Sequence, residues 1–101
     1  MEGIELISFQ IIAAVGTAKS MYIEAIQAAK NGSFDEADQL IKEGSQVFLE
    51  GHKAHASLIQ KEASGEKLEF SLLLMHAEDQ LMNAETTKIM AVEIIDLYRS
   101  R

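Results

Sequence analysis

Apolar residues recur along the chain at alternating three- and four-residue steps, and they do so in three stretches. Ile4, Ile7, Ile11, Ala14, Ala18, Met21 and Ala25 form the first stripe, widened by Ile12, Val15, Tyr22 and Ile26. Such spacing predicts an amphipathic helix from about Ile4 to Lys30. Asn31-Gly32 follows, a pair suited to a helix C-cap because a left-handed backbone is tolerated there. Ser33-Phe34-Asp35-Glu36 then reads as a capping box, the Ser33 hydroxyl accepting from the Glu36 amide while the Glu36 side chain reaches back. The second stripe is Phe34, Ala37, Ile41, Gly44, Phe48, Gly51, His55 and Leu58. Gly44 and Gly51 each cost roughly 1 kcal/mol relative to Ala in a helix interior. On a buried stripe they let a neighbouring backbone come close.

A break at Ser64-Gly65 precedes the third stretch, predicted to be helical from about Lys67 to Tyr98. Its stripe is Leu68, Leu72, Met75, Asp79, Met82, Thr86 and Ile89, while Leu74, Leu81 and Ile95 make it apolar on further sides. A long helix with several apolar sides packs against more than one neighbour. The expected fold is all-α. It is an antiparallel three-helix hairpin bundle in one domain over residues 1–101, with helices at about 4–31, 33–63 and 67–98, associating further through coiled-coil packing.

Composition supports that reading. Proline and cysteine are absent, and 48% of the residues are apolar with only 6% aromatic. The core is therefore aliphatic, and neither a disulfide nor a cysteine-based metal site is available. Nine basic against sixteen acidic residues give a net charge of −7, which argues against nucleic-acid binding and for partners with basic patches. Charged residues recur throughout, so no membrane span is expected. The opening MEGIEL lacks the basic segment of a secretory signal, which makes the cytoplasm the expected compartment.

The anomaly is LLLMHAEDQLM, residues 72–82, where His76, Asp79 and Gln80 interrupt a run of Leu and Met. A carboxylate on an apolar seam is costly unless it is protonated, paired or bound to a cation. If identical helices meet around a symmetry axis, several Asp79 carboxylates converge, and a divalent cation would relieve their repulsion. Alternatively the seam is turned by one residue, and Asp79 lies on a solvated edge. His76, Gln80, Asn83 and Thr87 share a polar strip. Imidazole there suits metal ligation or nucleophilic phosphoryl transfer, and equally a structural or merely exposed role. His52 and His55 would complete a three-histidine site only if the fold gathered all three. There is no glycine-rich phosphate loop, no Ser-His-Asp order and no pair of Glu-x-x-His motifs.

Two blocks, ISFQIIAAVGTAKSMYIEAIQAAKNGSFDEAD and SLLLMHAEDQLMNAE, carry a family resemblance. Over residues 4–98 the chain resembles the lactose/cellobiose enzyme IIA components of the bacterial sugar phosphotransferase system. Members carry a near-identical His-Ala-(Gln/Glu)-Asp-x-Leu-Met sequence. The resemblance implies a homotrimer of three-helix subunits, a nine-helix bundle. It also implies that His76 is the phosphorylated residue, taking its phosphoryl group from the phosphohistidine of the carrier HPr. The group then passes to a cysteine of the IIB component, which phosphorylates sugar entering through the membrane IIC component. Asp79 corresponds to the aspartate that supplies a divalent cation site, for Mg2+, on the trimer axis. Many members have a second histidine where this chain has Gln80, whose amide can instead hydrogen-bond the imidazole or the phosphoryl group. Outside this family, two other readings compete. A two-component phosphotransfer domain would place Lys-Gly shortly after the histidine, where Glu78-Asp79-Gln80 stands here. A non-catalytic helical oligomeric interaction module is the other, since AIQAAKNGSFDEADQLIKEG resembles tetratricopeptide or microtubule-interacting hairpins; it gives no reason for His76 and Asp79 together.

Overall fold

A computed structural model describes residues 3–101. Within them run three helices: α1 (Ile4–Lys30), α2 (Phe34–Ala63) and α3 (Leu72–Arg99). The molecule is a rod of 52 × 23 × 20 Å. Helices α2 and α3 both pack along α1 and meet one another only sparsely.

Because α1 is covered from two sides, its buried line is broad and combines members of the expected stripe with members of its widening. Ile11, Val15, Ala18, Tyr22, Ala25 and Ala29 are buried, while Ala14 and Met21 are only half-buried. By length and composition α1 is also apolar enough to cross a membrane, contrary to the expectation from scattered charge. Here much of that apolar surface packs against α2 and α3.

The glycines of α2 have the role their spacing assigned. A Cβ on Gly44 would lie 2.7 Å from Cε1 of Tyr22, and one on Gly51 would lie 2.7 Å from Cγ1 of Val15. Those distances are shorter than any van der Waals contact, so only glycine lets α2 lie this close to α1. The core is correspondingly thin and alanine-rich, with Ala18, Ala25, Ala37, Ala77, Ala84 and Ala91 all fully buried. Tyr22 is the largest side chain in it. Its hydroxyl is buried without a hydrogen bond of ordinary geometry, and burial pushes its pKa up, offset in part by the nearby Ser45 hydroxyl.

Both connections leave their helix through the same device. At the end of α1 the Gly32 amide donates to Ala29 and the Ser33 amide to Ala28, with Gly32 at φ 79°. At the end of α2 the Gly65 amide donates to Glu62 and the Glu66 amide to Lys61, with Gly65 at φ 98°. These paired bonds satisfy carbonyls that a helix end otherwise leaves unmet. The expected capping box at Ser33 does not form: Ser33 has ψ 68° and its side chain makes no capping bond. Its amide is already tied into the end of α1, and that fixes the backbone outside the extended conformation a capping hydroxyl needs.

The start of α3 also differs from the expectation. Residues 66–71 are a non-helical strap, and the helix begins at Leu72 rather than Lys67. Ser71 is extended, at φ −138° and ψ 155°, and its hydroxyl accepts from the Leu74 amide at 3.1 Å. That cap fixes the first turn. Leu68 anchors the strap by packing against the core cluster that contains Leu58 and Leu74.

On α3 the core line is Leu74, Ala77, Leu81, Ala84, Ala91 and Ile95. The stripe expected to be buried lies on the opposite side of the helix and is open in the single chain, with Leu72 81% and Ile89 60% exposed. Helix α3 therefore has two apolar sides, of which α1 covers one.

Candidate functional site

His76 lies in the second turn of α3, just beyond the Ser71 cap and close to the positive end of the helix dipole. The imidazole is exposed and, among the described residues, takes part in no hydrogen bond or ion pair. Gln80 is half-buried one turn on, and Asn83 and Thr87 continue the strip. The Thr87 hydroxyl donates to the Asn83 carbonyl at 2.8 Å, so it turns back to its own helix while the Asn83 amide stays free. A nucleophilic nitrogen, open to a partner and bordered by amides that can donate to phosphoryl oxygens, suits group transfer at the surface.

Asp79 sits beside this strip, about 60° round the helix from His76 by helical geometry. Asp79 is exposed, and with Asn83, Thr86 and Thr87 it lines an open groove of about 410 Å³. Met82 and Met90 of α3 and Ile26 of α1 supply the apolar part of that groove. No group of three or more His, Asp or Glu side chains able to hold a metal ion occurs among the described residues. One chain thus offers a cation a single carboxylate at this point.

The three histidines do not assemble within the chain. His55 Nε2 bonds Glu78 Oε2 at 2.9 Å across the α2–α3 contact. Glu78 therefore faces α2, and His76, two residues earlier, points about 160° away round the helix. His52 stacks on Phe48 of its own helix, with ring centroids 6.4 Å apart. A three-histidine metal site within one chain is excluded on this geometry. The Glu78–His55 pair is not legible in the sequence, because spacing along one helix carries no information about register between two. The Ser71 cap was readable: a serine directly before the LLLM run is a helix-start signal.

Comparison with known proteins fits this arrangement. Residues 6–99 match the family model described as the lactose/cellobiose-specific IIA subunit of the phosphotransferase system. The lichenan-specific phosphotransferase enzyme IIA component of Bacillus subtilis is 47% identical over 96% of this chain and 88% of its own length. Among solved structures, the cellobiose-specific enzyme IIA of Bacillus anthracis superposes with a TM-score of 0.94 at 46% identity, covering 99% of this chain and 93% of that one. The IIA(chitobiose) of the Escherichia coli N,N'-diacetylchitobiose branch, solved in complex with HPr, superposes with a TM-score of 0.84 at 28% identity, covering 99% and 97%. An all-helical chain matched almost end to end by such proteins belongs to the lactose/cellobiose-specific enzyme IIA family of the phosphotransferase system.

Proposed function

We propose that the chain is a phosphoryl carrier in sugar uptake, with His76 as its covalent intermediate, accepting from phospho-HPr and delivering to a cysteine of a IIB component. The observation that carries this is the exposed imidazole of His76, without a partner among the described residues, on the amide-bearing strip of α3 in a chain of this family. The relation to an IIA(chitobiose) solved with HPr supports the donor. In the first step a lone pair on a neutral His76 nitrogen attacks the phosphorus of the donor phosphohistidine. The new N–P bond forms as the old one breaks. The proton on the opposite His76 nitrogen is released, and the departing imidazole of the donor takes one up. In the second step a cysteine thiolate attacks the phosphorus, the new S–P bond forming as the His76 N–P bond breaks, and the departing imidazole takes up a proton to return to its neutral form. Such in-line transfers ask of the protein mainly position and charge stabilisation. Gln80 and Asn83 are the groups placed to donate to the phosphoryl oxygens or to hold the ring.

The open stripe of α3 fits burial against copies of itself in a homotrimer, and Asp79 is the one carboxylate on it between Leu72 and Ile89. Three such carboxylates brought to an axis form an oxygen-donor set that fits a divalent cation such as Mg2+. When bound, the ion would neutralise their mutual repulsion. The chain's compartment in this reading is the cytoplasm, where the carriers meet.

Labelled phosphoenolpyruvate with enzyme I and HPr is expected to give an acid-labile label on the wild type and none on His76→Ala. A label that survives the substitution refutes the assignment. Light scattering is expected to give a trimer for both the wild type and Asp79→Leu, with bound Mg2+ lost only from the variant. A monomeric wild type removes the axial site.

A further inference from the structure

The strap over residues 66–71 builds a second recess, on the flank of α3 turned away from His76. It is a pocket of about 210 Å³ between the end of α2, the strap and the first turns of α3. That is smaller than the roughly 300–1,000 Å³ of ordinary small-molecule sites and suits one extended side chain. Its charged lining is Glu62, Glu69 and Glu78 against His55 alone. His55 bonds Glu78, whereas Glu62 and Glu69 have no ion pair among the described residues. Lys61 and Lys67 are near in sequence but do not line the pocket. Two large apolar side chains border it in the open: Phe70 is 73% exposed and Ile59 52%.

We propose that this pocket docks a partner protein through an arginine or lysine flanked by apolar side chains. The cationic head meets Glu62 and Glu69, and the flanking residues cover Phe70 and Ile59. Carboxylates without a cation inside an apolar rim are complementary to that pattern, and to neither an anionic segment nor a purely apolar one. An arginine stem also packs its methylenes on an aromatic face while its guanidinium reaches the acids. The pocket lies on the α2 side of α3, so a partner held there leaves the His76 imidazole uncovered in the same chain. Docking here is independent of whether His76 carries phosphate.

The full chain labelled with 15N is titrated with the peptide acetyl-Leu-Arg-Leu-Lys-Leu-amide and followed by NMR. Saturable amide shifts are expected over residues 55–78. Affinity should fall about fivefold or more in Glu62→Gln/Glu69→Gln and in Phe70→Ser, and on raising salt from about 0.05 to 0.5 M. These positions are exposed, so the variants keep the fold, which the unchanged remainder of each spectrum verifies. The same peptide with glutamate for both basic residues should not bind. Shifts scattered over the acidic surface, equal binding of spermidine at the same residues, indifference to the substitutions, or no binding at all would each overturn the proposal.

Discussion

Helix α2 meets its two neighbours in opposite ways. Against α1 it presents Gly44 and Gly51, and the contact is so close that one added methyl would collide with Tyr22 or Val15. Against α3 it reaches out with ionisable side chains, His55 to Glu78 at 2.9 Å and Asp38 to Arg99 at 2.7 Å. The first contact is dry and has no tolerance for added volume. The second spans a wider gap, is partly solvated, and leaves room for the pocket beneath the strap. Helix α2 is thus closely packed on its α1 side, while the helix that bears His76 is held on its α2 side by adjustable contacts.

Adding a methyl at Gly44 or Gly51 tests the tight side most severely. Each glycine-to-alanine change should destabilise by about 1–3 kcal/mol, read from urea unfolding, because a fully buried ring or valine must move. Better helix propensity offsets only part of that. The alkaline limb of stability comes next. Tyr22 has a raised pKa through burial, so the unfolded chain ionises it first. Its contribution is complete below the unfolded value near pH 10 and is lost as pH rises toward the folded one, with a slope of at most about 1.4 kcal/mol per pH unit. Tyr22→Phe should remove this component from urea midpoints compared at alkaline pH. Gly16→Ala is the control, since nothing lies within 4 Å of a Cβ there. The same chemical change should now stabilise, by about 0.5–1 kcal/mol. The loose side gives the smallest effect. His55→Ala should cost under about 1 kcal/mol, because Glu78 is 39% exposed and solvent already screens the pair. A cost near that of Gly51→Ala would erase the distinction between the two contacts.

What could be read from sequence follows the same division. The α1–α2 unit was largely legible: glycines spaced seven apart meant close approach, and Asn-Gly meant a left-handed exit. The Ser33 capping box does not form, because a single residue serves the end of one helix and so cannot cap the next. Helix α3 was less legible. Half of its inner line is Ala77, Ala84 and Ala91, which a hydrophobicity pattern ranks below the Leu and Met of the outer line. The outer line of Leu and Met stands out instead, and because it runs back to Leu68 it sets the expected helix start at Lys67, ahead of the observed Leu72. At the site, periodicity could mark Asp79 as out of place because a charge on an apolar stripe is a physical anomaly. Nothing physical singles out His76 among three histidines; its assignment came from the family motif, and the fold adds that His55 is already engaged. Glu62, Glu69 and Phe70 carry no signal in spacing or motif, since only the folded strap brings them round one pocket.

The short exit at Gly32 also bears on the order in which the chain folds. Joining α1 to α2 through so few residues costs little loop-closure entropy, and the glycine contacts then zip from the turn outward. Helix α3 must close the longer connection over residues 64–71, and half of the core line with which it grips α1 is alanine. The hairpin of α1 and α2 is therefore the natural nucleus, and α3 docks on it afterwards. Substitutions at Gly51 should slow folding, whereas substitutions at Ala84 should chiefly hasten unfolding.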